Sequence, residues 1–186
     1  MPASFFRLMN WSFSYNLFHR IVSREKESRL RLELQRERQS APLKVIDIGC
    51  GPGTNAGLFL DKTRFDYLGL DINQNYIRRA ASKYRLAFEC ADITRAWKLD
   101  RRFDIALINS VLHHLSDAEV AAVLSAAADC LSTAGRCLVM DMICPDVKTL
   151  FNAHRRLLIR LDRGEYCRSA AQLESLLQNK FRRVRA

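Results

Sequence analysis

A chain of 186 residues is the size of one domain with a single substantial core. Its 48% hydrophobic and 27% charged residues exclude a disordered or fibrous class, and no run of about 18 apolar residues is present to span a bilayer. The net charge of +10 sits on the flanks: residues 1–44 and 145–186 hold 9 and 10 Lys/Arg against 4 acids each, as expected of segments that face an anion or keep a protein soluble.

Phe5 to Val22 is rich in large apolar groups, with Leu17/Ile21 and Phe18/Val22 at helical spacing. Ser23 to Gln39 interleaves charges with Leu30 and Leu34 and places Glu25 and Glu27 four residues before Arg29 and Arg31, which predicts an exposed helix. Pro42 closes this N-terminal helical cap, residues 1–42, and a second region runs from 43 to 186. That region alternates apolar runs with helical patterns, as a parallel sheet with crossover helices requires. Strands are predicted at Leu43–Ile48, Asp66–Leu70, Ala87–Cys90, Phe103–Asn109 and Arg136–Met142. Helices are predicted at Asn55–Lys62, Asn73–Tyr84 and Ser116–Leu131, the last opened by the capping box Ser116/Glu119 and stopped near Gly135. Beyond Pro145 come helical patterns at Val147–Leu161 and Ala170–Gln178, then the start of a sixth strand at Phe181. The fold class is therefore α/β, a three-layer sandwich with a mostly parallel sheet whose C-terminal strands are incomplete, an edge at which a second copy of the chain would pair.

The six cysteines form no CxxC pair and stand largely in apolar runs, so no metal site is expected. With no leader pattern at the N-terminus, they read as reduced, half-buried thiols of a cytoplasmic protein.

The informative segment is Val45-Ile46-Asp47-Ile48-Gly49-Cys50-Gly51-Pro52-Gly53-Thr54-Asn55, where three glycines at alternate positions follow a strand and precede a helix. Backbone of this kind approaches a ligand closely. A dinucleotide loop reads G-x-G-x-x-G, and its third glycine falls on Thr54, so the register favours a different nucleotide ligand. Asp47 would repel a pyrophosphate but suits a ligand that carries a positive sulfonium and amino group. Asp71, at the end of the second strand, can accept from both hydroxyls of a ribose. Asp92, after the third, is placed to accept from the exocyclic amine of adenine, with Ile72 and Ile93 on either side of the ring.

These residues, together with Phe103-Asp104-Ile105-Ala106-Leu107-Ile108-Asn109-Ser110-Val111-Leu112-His113-His114-Leu115, strongly resemble the class I S-adenosylmethionine-dependent methyltransferases over residues 43–142, and more loosely through Leu161–Arg168. The resemblance implies strand order 3-2-1-4-5-7-6 and S-adenosyl-L-methionine lying across the carboxyl ends of strands one, two and four. It gives the cofactor-binding set as Asp47, Gly49, Cys50, Gly51, Gly53, Asn55, Asp71, Ile72, Asp92, Ile93, Asn109 and Ser110, the last two along the methionine half.

Methyl transfer from a sulfonium is an in-line displacement, so alignment and exclusion of water are the main tasks. A base helps when the acceptor must lose a proton, and His114, with His113 beside it, is the candidate. The acceptor is expected to be a small molecule or lipid-like, gripped by the flanks: Tyr15, Phe18 and His19 on one side, and Arg160, Asp162, Arg163 and Tyr166 on the other. Three other readings have some support in the sequence. A cofactor-binding relative without catalysis would suit the incomplete sheet. An RNA methylase would suit the basic flanks, but no Asn/Asp-Pro-Pro-Tyr segment follows the fourth strand and no RNA-binding module is recognisable. Peripheral membrane contact through the first helix ranks below packing of its aromatic residues.

Overall fold

The structure, a computed structural model, describes residues 27–35, 41–95, 99–144 and 166–185. The chain divides into two compact units, Met1–Arg38 and Gln39–Ala186. In the first, residues 27–35 form helix α1, where Arg31 donates to Glu27 at 2.7 Å. Its other residues are mainly exposed, but Leu30 and Leu34 are buried, so this helix has an apolar stripe one turn long. The helices expected over Phe5–Val22 and Val147–Leu161 lie outside the described residues.

The second unit is built on β1 (Leu43–Ile48), β2 (Phe65–Asp71), β3 (Ala87–Cys90), β4 (Phe103–Asn109) and β5 (Leu131–Met140). Their order is β3-β2-β1-β4-β5 and every pairing is parallel. Parallel neighbours need crossovers. Helix α2 (Gln74–Lys83) supplies one between β2 and β3, α3 (Asp117–Cys130) supplies one between β4 and β5, and a 3₁₀ turn at Ala56–Phe59 lies between β1 and β2. Helix α4 (Ala170–Gln178) follows and packs on α3.

Because successive side chains of a strand point to opposite faces, the sheet builds two cores. Ile46 and Ile48 of β1, Leu68 and Leu70 of β2, and Ala106 and Ile108 of β4 join Val120, Val123, Leu124 and Ala127 of α3 in one cluster. On the alternate positions Val45, Asp47 and Tyr67 are buried, and Phe59 of the 3₁₀ turn stacks on Tyr67 at 5.1 Å and meets Phe65 edge-on at 5.2 Å. The sheet is thus covered on both faces, which explains the near-continuous apolar runs of its central strands.

Three boundaries differ from expectation. The helix predicted over Asn55–Lys62 is only the turn Ala56–Phe59. Asn55 makes no side-chain cap there, Gly57 weakens the helix, and Asp61 draws the chain into a turn by accepting from the amide and hydroxyl of Thr63 at 3.0 and 2.6 Å. The strand predicted from Arg136 begins at Leu131, immediately after α3, with an irregularity opposite Phe103 and Ile105. Gly135 is therefore inside this strand and not at a helix end; a Cβ on it would come within 2.8 Å of the Phe103 carbonyl oxygen. The sixth strand does not form over 181–185. Instead the Phe181 amide donates to Leu177 at the end of α4, and its ring packs against the core. Among the described residues, β5 pairs with β4 alone. The capping box is present as expected, with Ser116 and Glu119 serving each other's backbone amides at 3.4 and 2.8 Å.

Candidate functional site

The carboxyl ends of β1, β2 and β4 lie side by side in the sheet, and the turns that leave them meet. Gly49, Gly51 and Gly53 have φ of +75°, +56° and +81°, a backbone region that L side chains rarely adopt. The amides of Gly49 and Cys50 donate to the Leu70 carbonyl at 2.8 and 2.9 Å, carrying the ladder past the end of β1. At Gly49 the reason for glycine is also steric, because a Cβ would overlap Val111. Among the described residues Gly51 has no such neighbour: a Cβ would meet only Thr54 Oγ1, at 3.9 Å. Gly49 is packed against Val111, whereas Gly51, at the crest of the loop, has space above it among those residues.

Asp71 ties the loop to the next strand. One carboxylate oxygen accepts from the Gly51 amide at 2.8 Å and the other from the Asn73 amide at 2.8 Å. The Asn73 side chain in turn accepts from the amides of Asn75 and Tyr76 to start α2. Each carboxylate oxygen keeps a lone pair for a ligand hydroxyl.

Asp47 is fully buried beneath the loop. Its Oδ2 accepts from the Tyr67 hydroxyl at 2.8 Å and from Asn55 Nδ2 at 3.4 Å, while Oδ1 has no partner among the described residues. Burial pushes its carboxyl up to about 6, against the opposing pull of the Tyr67 and Asn55 hydrogen bonds. The same polar chain continues outward: Asn109 Nδ2 donates to Asn55 Oδ1 at 2.9 Å, and Ser110 Oγ to Asn109 Oδ1 at 3.2 Å. Ser110 has φ +58°, and its amide donates a hydrogen bond to the Met140 carbonyl at 2.8 Å. A non-glycine residue so placed marks a point where surrounding structure imposes the backbone.

The remaining predicted residues are placed less uniformly. Cys50 is buried, and burial drives its thiol far up from the ordinary range, which makes it a packing group and not a nucleophile. Ile72 is 64% exposed, whereas Ile93 is buried in the core cluster. Asp92 accepts from the amide and hydroxyl of Thr94 at 3.0 and 2.7 Å and pairs with Arg95 at 3.1 Å; the Thr94 bonds hold its carboxyl below the usual range. His114 is exposed on the 3₁₀ turn Leu112–His114, its ring 4.1 Å from that of buried His113. Of the flank residues only Tyr166 is described, with its amide donating to the His113 carbonyl at 3.1 Å.

Three participants were missed in the sequence. Tyr67 looked like one more apolar strand residue. Asp141 accepts from the amides of Leu112 and His113 at 2.6 and 3.2 Å and from His113 Nδ1. It stands at the carboxyl end of a strand, as Asp71 and Asp92 do, but the strand predicted to Met142 encloses it and hides that signal. Arg168 is buried although it lies far along the chain from every residue it bonds except Tyr166.

Residues 45–135 match a family described as a methyltransferase domain. Over that stretch the chain is similar to methyltransferase domains. Over 81 residues the chain is 37% identical to trans-aconitate 2-methyltransferase of Methylobacterium radiotolerans, an alignment covering 41% of this chain and 30% of that protein. The chain thus spans less than a third of that relative. The methyltransferase fold is shared with the mitomycin 7-O-methyltransferase MmcR, at TM-score 0.66 and 21% identity over 89% of this chain and 50% of that one. It is shared equally with the plantazolicin methyltransferase BpumL, solved with a desmethyl substrate analogue and S-adenosylhomocysteine, at TM-score 0.66 and 19% identity over 90% and 68% of the two chains.

Proposed function

We propose that this methyltransferase domain binds S-adenosyl-L-methionine and transfers its methyl group to a small-molecule acceptor. The observation that carries the reading is the crest of the glycine loop, where the Gly51 amide rests on Asp71 and the place of a Cβ is open. Fully buried Asp47, with an unpartnered oxygen, adds a site that favours a cation over a pyrophosphate. In this reading Asp71 holds the ribose hydroxyls, Gly49, Cys50, Gly51 and Gly53 provide the close backbone, and Asp47, Asn55, Asn109 and Ser110 serve the amino-acid end. Ile72, Asp92 and Ile93 border the adenine. When bound, the cofactor supplies a methyl group on a sulfonium, a carbon already activated toward displacement. The chain's own tasks are then to align the acceptor and keep water out, and the exposed His114 imidazole accepts the acceptor's proton where one must leave. The named relatives act on trans-aconitate, mitomycin and plantazolicin, which supports a small-molecule acceptor.

Titration calorimetry with S-adenosylmethionine and S-adenosylhomocysteine tests this directly. Both are expected to bind the wild type, and Asp71→Ala is expected to weaken binding at least about tenfold, since a charge-assisted hydrogen bond is worth roughly 1.5–3 kcal/mol. A folded wild type that binds neither ligand would overturn the assignment.

A further inference from the structure

The turn that follows β4 is gripped from two sides. Asp141, just past β5, takes the amides of Leu112 and His113 and the His113 ring. From the other side comes Arg168, on the segment that precedes α4. Its Nη1 donates to the carbonyls of Leu112 and Tyr166 at 2.8 and 3.1 Å. Its Nη2 donates to the Leu115 carbonyl at 2.7 Å and to Asp117 at 2.6 Å, and its Nε to Asp117 at 2.8 Å. All five N–H donors of the guanidinium therefore have acceptors, and only 7% of the residue is exposed. The segment is itself anchored by the Ile143/Arg168 bridge and by the Cys144 amide on the Arg168 carbonyl at 2.8 Å.

What the guanidinium holds is specific. Leu112 and Leu115 bracket His113 and His114, and the residue before Leu112 is Val111, whose side chain fills the space that glycine leaves at Gly49. A displacement of the turn is therefore felt at the glycine loop within one residue of Arg168's contact. Burying a guanidinium is unfavourable unless every donor is met, and a lysine could not meet acceptors spread in this planar fork.

We infer that Arg168 is a positioning residue, which fixes the turn after β4 against the glycine loop and so sets the geometry of the methyl-donor site. The inference rests on the proposed cofactor, so its test has one arm that needs no ligand. Hydrogen exchange of the unliganded protein should show the amides of residues 111–116 exchanging at least about tenfold faster in Arg168→Ala than in wild type, with those of α2 unchanged. S-adenosylhomocysteine should bind Arg168→Ala at least about tenfold more weakly. Arg168→Lys should remain impaired, while millimolar guanidinium should restore binding to Arg168→Ala and leave wild type unaffected. Equal exchange in the turn, or undiminished affinity in Arg168→Ala, would overturn the positioning role. General destabilisation would instead quicken exchange in α2 as well and resist rescue, which also counts against it. Failure of the wild type to bind the ligand, with the turn still released by Arg168→Ala, would remove the cofactor assignment and leave the clamp.

Discussion

Asp47→Asn isolates the most unusual electrostatic feature of the domain. The folded chain raises this carboxyl from 3.8 to about 6, chiefly by burial. The folded state therefore binds the proton more tightly than the unfolded state does. Between pH 3.8 and about 6 the native protein carries more protons at this site, so its stability falls as pH rises through that window and levels off above it. At about 1.4 kcal/mol per pKa unit, the difference amounts to about 3 kcal/mol at neutral pH, and to about 2 to 3 kcal/mol between pH 4 and pH 7.5. An asparagine does not titrate, and its carbonyl can still accept from Tyr67. Urea unfolding of both proteins across this range should show Asp47→Asn gaining on wild type by that amount as pH rises, other titrating groups cancelling in the comparison. A pH-independent difference would mean that the Tyr67 and Asn55 bonds balance desolvation, and a gain toward low pH that they outweigh it; either would refute the reasoning. A cationic ligand end beside Asp47 would draw it toward the carboxylate. Affinity for S-adenosylhomocysteine should accordingly strengthen through pH 6 in wild type and not in Asp47→Asn.

The two glycines should separate packing from ligand space. Gly49→Ala, with its Cβ in Val111 and a positive φ, should lower stability by about 2–4 kcal/mol in thermal or urea unfolding. Gly51→Ala bears only the backbone cost of about 1–2 kcal/mol yet should abolish ligand binding, and normal binding by it would count against a ligand at the loop crest. The two histidines should differ in the opposite sense. His113→Ala takes the buried ring from Asp141, which then keeps only backbone amides, and should cost about 1–3 kcal/mol of stability, whereas His114→Ala should change it by less than about 0.5 kcal/mol. If His114 is the base, its loss should slow single-turnover methyl transfer and flatten the pH profile; an unchanged rate would remove that role.

Much of the site was readable before the fold because each element of it is local. Gly49, Gly51 and Gly53 announce positive φ, Asp71 announces itself by standing at the end of a strand, and Ser116 with Glu119 announces a helix start. Asp92 gives the same kind of signal after β3, where its oxygens accept from Thr94 and pair with Arg95. The helix predicted over Asn55–Lys62 is cut to one turn by features that are equally local, Gly57 and the turn that Asp61 makes with Thr63.

The amino-acid sequence by itself determined the alternation of strands and helices that a parallel sheet requires, the glycine loop after β1 and the acids at the strand ends, because apolar periodicity, glycine spacing and strand-terminal charge act within a few residues of one another, while the strand order was implied by the family resemblance. Only the tertiary structure decided that Asp47 lies buried against Tyr67, that Asn55, Asn109 and Ser110 form one chain of hydrogen bonds, and that Asp141 and Arg168 hold the turn after β4. Those partners are separated by up to 56 residues. No local pattern marks them, since burial and hydrogen-bond geometry come into being only when distant segments are packed together.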